Sequence, residues 1–99
     1  MIRRFEWSEH KARSNFLKHR IRFVDAARVF ADPFHQTSQD RVEHGEVRWQ
    51  TIGAIDNVVL VLVAHTLTEE AEHGELVEVI RIISARRATR RERQQYEQG

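Results

Sequence analysis

Hydrophobic and polar residues alternate with two different periods along the first third of the chain. Residues 2–7 alternate with a period of two, which predicts a short strand. Ser8 can cap a helix over about 9–18. Residues 23–31 carry apolar side chains at i, i+3, i+4 and i+7, which predicts a second, amphipathic helix. Pro33 ends that helix, because proline disfavours helical geometry in the residue before it.

The middle of the chain predicts a sheet. Residues 35–45 are polar and are expected to form a loop, with a brief strand at 33–37 left open. Three strands are predicted after this loop, over residues 47–52, 58–64 and 76–84. They are joined by a turn at 53–57 and by an acidic loop at 67–75. Such short connections favour an antiparallel meander.

The C-terminal helix has a clear start. Thr89 and Glu92 match a capping box, so a helix is predicted from there to about Gln98. Residues 85–88 then become its connection to the sheet. The order of elements predicts one α+β domain over residues 1–99, with an antiparallel sheet of three to five strands, two N-terminal helices and one C-terminal helix.

Composition excludes several classes of protein. Cysteine is absent, which excludes a disulfide scaffold, a cysteine-based zinc site and thiol catalysis. None of the six histidines forms a metal-ligand pair with another, so we expect no metal and no cofactor. No apolar run approaches the ~20 residues of a membrane span, and no signal peptide is evident. The expected location is the cytoplasm, without a membrane role.

Charge is segregated along the chain, although the net charge is only +1. Residues 1–22 contain seven basic and two acidic residues, and residues 81–99 contain six and two. Residues 23–80 contain three basic and eleven acidic residues. If the two basic ends meet, they form a basic face, which is typical of nucleic-acid binding. The alternative is that the terminal helices simply carry solvated Arg and Lys.

Three arginines at the end of the last strand are candidates for a site. Arg81 shares a predicted strand face with apolar residues, so its guanidinium needs either a cleft or an ion-pair partner such as Glu78 or another acid. Arg86 and Arg87 are expected beside the N-terminus of the last helix, an environment suited to phosphate. The alternative for these two is a solvated turn.

Two further residues could transfer protons. His65 follows the apolar strand and can titrate near neutral pH, or it can be a core histidine that bonds the backbone. Tyr96 can direct its hydroxyl into a cleft, or it can pack its ring on the sheet.

Two stretches of the chain contain residues in a combination typical of one protein family. The first includes Phe5-Glu6-Trp7, Lys11-Ala12, Asn15-Phe16, Lys18-His19 and Asp32-Pro33. The second includes Ile52-Gly53, His65-Thr66, the run Ile80 to Thr89, and Tyr96-Glu97. Together they cover nearly the whole chain and resemble the BrnT toxins. That family usually has glycine after its Lys-His pair. This chain has Arg20 there, so we expect a different geometry after the first helix.

The resemblance implies both a fold and a function. BrnT proteins are toxins of bacterial type II toxin–antitoxin systems, with a RelE-like fold and a metal-independent ribonuclease activity that stops translation. Their antitoxin, BrnA, binds DNA, and the complex represses its own operon. Residues Arg81, Arg86, Arg87 and Tyr96 stand at positions of the family's basic and aromatic motif.

These observations lead to a hypothesis of RNA cleavage by attack of the 2′-hydroxyl. The residues expected to act in catalysis are Arg81, Arg86, Arg87, His65 and Tyr96, and those expected to bind RNA are Lys18, Arg22 and Arg90. No residue is an obvious general base. The alternative is a non-catalytic module that binds nucleic acid or protein through the same basic face.

The expected partner follows from the same hypothesis. A BrnA-like antitoxin is expected to bring acidic residues to Arg81, Arg86 and Arg87, with two toxins around an antitoxin dimer. RNA is the expected substrate. Operator DNA is expected to be contacted only through the antitoxin.

Overall fold

The computed structural model describes residues 2–99, in which strands and helices follow the order β-α-α-β-β-β-β-α. The strands are β1 Ile2–Glu6, β2 Gln36–Glu43, β3 Glu46–Ile55, β4 Val59–Glu72 and β5 Glu75–Arg87. The helices are α1 Glu9–His19, α2 Phe23–Ala26, which a 3-10 helix continues over Ala27–Ala31, and α3 Arg90–Gln98. The predicted α+β class is confirmed. No helix in residues 2–99 has the length and apolar character needed to cross a membrane.

The five strands form one sheet in the order β1-β5-β4-β3-β2. Strands β2 to β5 are antiparallel to their neighbours, as predicted. Strand β1, in contrast, runs parallel to β5. The sheet is therefore mixed. Helices α1 and α2 carry the chain from β1, at one edge of the sheet, to β2, at the opposite edge.

The two faces of the sheet are covered differently. On the face that we call the covered face, α2 and the 3-10 helix pack to form the core, which includes Phe23, Val29, Phe30, Val63 and Ile80. We call the opposite face the open face. Only α3 lies over part of it, near Ile52 and Leu62. Most of the open face therefore carries polar side chains that solvent can reach.

The loop predicted at residues 35–45 is wrong. Most of this segment is β2, which pairs with β3 through a hairpin whose turn residues His44 and Gly45 both have positive φ. Its polar side chains are mostly exposed, because β2 is an edge strand with little covering it. Backbone pairing with β3, rather than a hydrophobic pattern, therefore defines this strand.

The acidic loop predicted at 67–75 is also wrong. Strands β4 and β5 continue as a long hairpin up to the pair Glu72–Glu75, and only His73 and Gly74 form the turn. Arg4 on β1 binds the carboxylates of Glu70 and Glu72, which offsets part of the acidic charge.

The connection predicted at 85–88 is wrong as well. Strand β5 extends to Arg87, which pairs with Val61 on β4. The Thr89–Glu92 capping box is confirmed, so α3 starts immediately after the sheet. Asp56 and Asn57 form the turn after β3, with positive φ at both residues, but the strand covers the first part of the predicted 53–57 turn.

Arg20 keeps the cap geometry for which glycine is usual. Its φ is 58°, in the left-handed region, and its N–H donates to the carbonyl of Phe16. The expectation of a different geometry after α1 is therefore wrong. The left-handed conformation costs an arginine about 1–2 kcal/mol relative to its favoured regions. Ser8 caps the other end of this helix, as predicted.

Candidate functional site

A β-bulge in β5 decides which side chains face the open face. Ala64 pairs with Ser84, but the next residue of β4, His65, pairs with Ile82, so Ile83 is an extra residue. Such a bulge shifts the alternation of a strand by one residue. Ile82 and Ala85 therefore both face the core, and Ser84 lies on the open face.

Helix α1 is fixed beside this bulge by one side chain. The Asn15 amide donates to the carbonyl of Ala85 at 2.9 Å and accepts from the N–H of Ala85 at 3.0 Å. Asn15 thus occupies the free edge of β5 beyond the end of β1, as a paired strand would. This places the N-terminal half of α1, including Lys11, next to the open face.

Arg81 has a carboxylate partner on the open face. Its Nη2 donates to Oε1 of Glu46 at 2.7 Å, so the ion-pair alternative applies with Glu46 rather than Glu78. The Nη2 of Arg48 lies 3.6 Å from the same oxygen. The Arg81 and Glu46 side chains are each about 40% exposed, at 43% and 37%. A substrate can therefore reach both.

Arg48 is a largely buried arginine on the open face, and its guanidinium lacks hydrogen-bond partners. It is 14% exposed, and among residues 2–99 only its Nε and Nη1 are buried side-chain atoms without a hydrogen-bond partner. Carboxylates of Glu43 and Glu46 lie 3.9 and 3.6 Å away, which balances charge without forming a hydrogen bond. A pocket of about 210 Å³ opens beside Arg48.

Sequence reasoning missed both Glu46 and Arg48. Glu46 was missed because it lies between the expected loop, which ends at residue 45, and the expected strand, which begins at residue 47. Its side chain was therefore assigned to no strand face. Arg48 did give a signal, since it is the only charged residue from 47 to 55. A single arginine in an otherwise uncharged strand needs a partner or a ligand.

Arg86 is held by the helix that follows it. Its Nη1 and Nη2 donate to the two carboxylate oxygens of Glu92 at 2.8 and 2.9 Å. The hydrogen bond from Arg86 lowers the pKa of Glu92 to about 2 and raises that of Arg86. Glu92 also completes the capping box, so this pair joins β5 to α3. Arg87 is exposed and, as the partner of Val61, faces the other side of the sheet.

His65 lies in the core on the covered face and is fully buried. Its Nε2 is 2.7 Å from Oγ1 of Thr51, and its Nδ1 is 3.2 Å from the carbonyl of Thr66. The Phe30 ring packs edge-on against it, with centroids 5.1 Å apart. Burial lowers the pKa of His65. The structure therefore matches the alternative of a hydrogen-bonded core histidine.

Tyr96 anchors the end of α3. Its hydroxyl donates to Oδ2 of Asp32 at 2.6 Å, and this bond raises the pKa of Tyr96 to about 12. Burial alone would raise the pKa of Asp32, but hydrogen bonds from Tyr96 and from the amides of Ala54 and Phe34 together lower it. The tyrosine is thus a fixed donor to a carboxylate, and its hydroxyl is occupied.

The three residues expected to bind RNA lie in different places. Lys18 lines a shallow pocket with Lys11 and Ser84, beside the open face. Arg22 pairs with Asp25 at 3.2 Å, and Arg90 is exposed in the first turn of α3. Of these three residues, only Lys18 lines a pocket together with Ser84 of the open face. No three His, Asp or Glu side chains in the described part of the chain are grouped as metal ligands would be.

A second concave surface lies between α1 and α2. This groove, of about 460 Å³, has the apolar side chains Trp7, Ala12, Phe16 and Phe23 among its lining residues. Arg13 and Arg22 also line it. Exposed apolar surface bordered by charge is typical of a protein interaction site.

Comparison with known proteins assigns the chain to a family. A family model described as "Ribonuclease toxin, BrnT, of type II toxin-antitoxin system" matches residues 7–92. The 1.1 Å crystal structure of the Brucella abortus ribonuclease toxin BrnT shares the fold, with a TM-score of 0.58 and 20% identity over 91% of this chain and 100% of that one. No curated protein gives a match. Since the family model spans most of the sequence, the chain belongs to the BrnT family of ribonuclease toxins of type II toxin–antitoxin systems.

Proposed function

We propose that this toxin is an endoribonuclease that cleaves RNA on the open face without a metal ion and so stops translation. The observation that carries the proposal is the pair formed by Arg81 and Glu46. A guanidinium and a carboxylate, 2.7 Å apart and both accessible, lie on the face that the helices leave uncovered. The carboxylate can act as a general base and the guanidinium can stabilise charge, and these are two of the functions that attack by a 2′-hydroxyl requires.

In the proposed reaction, the Glu46 carboxylate accepts the proton of the RNA 2′-hydroxyl as its oxygen attacks the adjacent phosphorus. The bond from that oxygen to phosphorus forms, and the bond from phosphorus to the 5′-oxygen of the next nucleotide breaks. Arg81 stabilises the negative charge that develops on the phosphate oxygens. The leaving 5′-oxygen takes a proton from solvent water, which reaches the open face, so the products are a 2′,3′-cyclic phosphate and a 5′-hydroxyl.

The other expected site residues receive different roles in this proposal. His65, Tyr96 and Arg86 stabilise the fold, because each is already bonded within the protein. The roles of Lys18, Arg22 and Arg90 in binding RNA, and of Arg87 in catalysis, stay predictions.

The test is cleavage of a short single-stranded RNA by purified toxin, with and without EDTA. We expect cleavage in EDTA, a 2′,3′-cyclic phosphate end, and no cleavage of a 2′-O-methyl RNA. Arg81→Gln and Glu46→Gln should each lower the rate about 100-fold or more, as the loss of one transition-state contact does. Arg93→Gln, an exposed change on α3, is the matched control.

Two results would overturn the proposal. Loss of cleavage in EDTA would indicate a metal-dependent hydrolase. RNA binding without any cleavage would favour the non-catalytic module, and its dependence on salt would then measure the number of phosphates bound.

The partner in this proposal is a BrnA-like antitoxin, since membership of the family implies an antitoxin. Two toxins assemble around an antitoxin dimer in the cytoplasm, and operator DNA is contacted through the antitoxin alone. Acidic residues of the antitoxin approach Arg81 and its neighbours and so block the open face. The apolar groove between α1 and α2 supports a protein partner.

The antitoxin proposal is tested by association rates at increasing salt. Opposite charges accelerate association, so the rate should fall with salt and with Arg81→Gln. If neither matters, the antitoxin inhibits the toxin elsewhere on its surface.

A further inference from the structure

We propose that the pocket beside Arg48 binds a phosphate of the RNA chain next to the one that is cleaved. This inference rests on the proposed function, because it takes RNA as the ligand. The residues that line the pocket include the cations Lys11, Arg41 and Arg48, the acids Asp40 and Glu43, and Ser84. It is adjacent to Glu46, since Arg48 lies 3.6 Å from that carboxylate.

The guanidinium of Arg48 has buried nitrogen atoms without a hydrogen-bond partner. A buried polar group normally has a hydrogen-bond partner, and one without a partner destabilises the fold. Within residues 2–99 this situation arises only at Nε and Nη1 of Arg48. The N–H bonds of these two nitrogens diverge, so a phosphate oxygen would accept from one of them, and the phosphate charge would balance the guanidinium.

The carboxylates near Arg48 already have other partners. Arg41 donates to Asp40 at 3.0 Å and to Glu43 at 3.2 Å, and Arg81 holds Glu46. Arg48 and Lys11 are therefore the cations left to attract an anion. Lys11 forms no ion pair with any carboxylate of residues 2–99.

The bulge in β5 affects the shape of the pocket. The extra residue Ile83 displaces the end of β5 and leaves Ser84, with its hydroxyl, at the pocket. Lys11 and the exposed Arg41 have long, mobile side chains that can move aside to admit an anion between them. The pocket is thus accessible from the side of α1.

Helix α1 extends the site in one direction. Lys11 and Lys18 are seven residues apart, which is close to two full turns and about 10.5 Å along the helix axis. Both lysines line the adjacent shallow pocket with Ser84. A single RNA strand can therefore run from the Arg81–Glu46 pair past Arg48 and along α1.

The test is binding of a fluorescently labelled 2′-O-methyl RNA oligonucleotide, which cannot be cleaved by 2′-hydroxyl attack. We expect Arg48→Met and Lys11→Met each to weaken binding by about 10-fold and to lower the salt slope by about 1. Arg93→Met, the matched control on α3, should bind like the wild type. Lys11 is exposed, so its variant tests the pocket even if Arg48→Met folds poorly.

A second readout separates binding from catalysis. The toxin concentration that gives half of the maximal single-turnover cleavage rate should rise about 10-fold for Lys11→Met, because ground-state binding is removed, and should stay unchanged for the control Arg93→Met. If both variants bind RNA as tightly as the wild type while the wild type still cleaves RNA, the pocket proposal is wrong and the proposed function stands. If the wild type neither binds nor cleaves RNA, both are wrong.

Discussion

His65 and Arg48 are buried polar residues on neighbouring strands, β4 and β3, but they lie on opposite faces of the sheet. On the covered face, both ring nitrogens of His65 have partners, in Thr51 and in the carbonyl of Thr66. On the open face, the buried Nε and Nη1 of Arg48 have no hydrogen-bond partner. A satisfied buried group contributes to stability, whereas an unsatisfied one is retained at a cost. The difference therefore separates a structural residue from a binding residue.

The same contrast applies within the open face. Arg86 has two short bonds to Glu92, and Arg81 has one to Glu46. The arginines of this face thus range from Arg86, with two hydrogen bonds to a carboxylate, to Arg48, with ion contacts at 3.6 and 3.9 Å but no hydrogen bond, and we expect their importance for folding to fall in that order. Their importance for RNA should follow the reverse order, apart from Arg81, which we place at the reacting phosphate.

The largest effect on stability is expected for His65→Ala. The substitution leaves a cavity beneath Phe30 and removes a hydrogen bond, which together cost about 3 kcal/mol or more in the free energy of unfolding. Urea unfolding followed by circular dichroism measures this. A variant with normal stability and no RNA cleavage would show instead that His65 acts in catalysis and is not a purely structural residue.

Structural features that depend on a few neighbouring residues could be predicted from the sequence, and features that depend on strand pairing could not. The ends of α1 and α3 were predicted correctly, because Ser8 and the Thr89–Glu92 capping box act within one helical turn. Strand β2 and the long β4–β5 hairpin were not, because their polar residues show no apolar period and become strands only through backbone pairing across the hairpins. Length and pairing of such strands are properties of the whole sheet.

The candidate site shows the same limit. An arginine at position 81 clearly needed a partner, but Glu46 becomes its neighbour only once β3 lies two strands away from β5. The bulge at Ile83 could not be predicted either, because nothing in the sequence from Val79 to Ile83 marks an extra residue. A shift of one residue then decides which face each later side chain occupies.

The next largest effect is expected for Glu92→Gln, which tests the paired end of the series. The change removes the ion pair with Arg86, and we expect a loss of about 1–2 kcal/mol, reduced from the full pKa effect because the pair is partly exposed. Since the pKa of Glu92 is lowered from 4.5 to about 2, this stability is present above pH 4.5 and is lost as the pH falls toward 2. Unfolding at pH 7 and at pH 3 measures both statements, and Gln95→Ala, also on α3, is the control. An equal difference between wild type and Glu92→Gln at both pH values would contradict the ion pair.

A smaller effect concerns pH and His65. Its pKa is lowered in the folded protein from a value near 6.5, so below pH 6.5 the unfolded chain binds a proton that the folded chain does not. The free energy of unfolding should therefore fall as the pH is lowered from 7.5 to 5.5, by at most about 1.4 kcal/mol per pH unit for one proton. His65→Gln should remove this part of the slope, whereas the exposed His73→Gln should not. Equal slopes in all three proteins would mean that His65 is readily protonated in the fold.

The smallest effect on stability is expected for Arg48→Met, although only 14% of its side chain is exposed. Its guanidinium forms no hydrogen bond through Nε or Nη1, and the carboxylates of Glu43 and Glu46 keep Arg41 and Arg81 as partners when it is removed. Replacing such a charge by an apolar side chain of similar length is often neutral or stabilising, so the free energy of unfolding should stay within about 1 kcal/mol of wild type or rise. Urea unfolding of Arg48→Met beside His65→Ala makes the comparison direct. If Arg48→Met instead loses as much stability as His65→Ala, then Arg48 is held by interactions of the fold itself, and its two free nitrogens would no longer indicate a phosphate site.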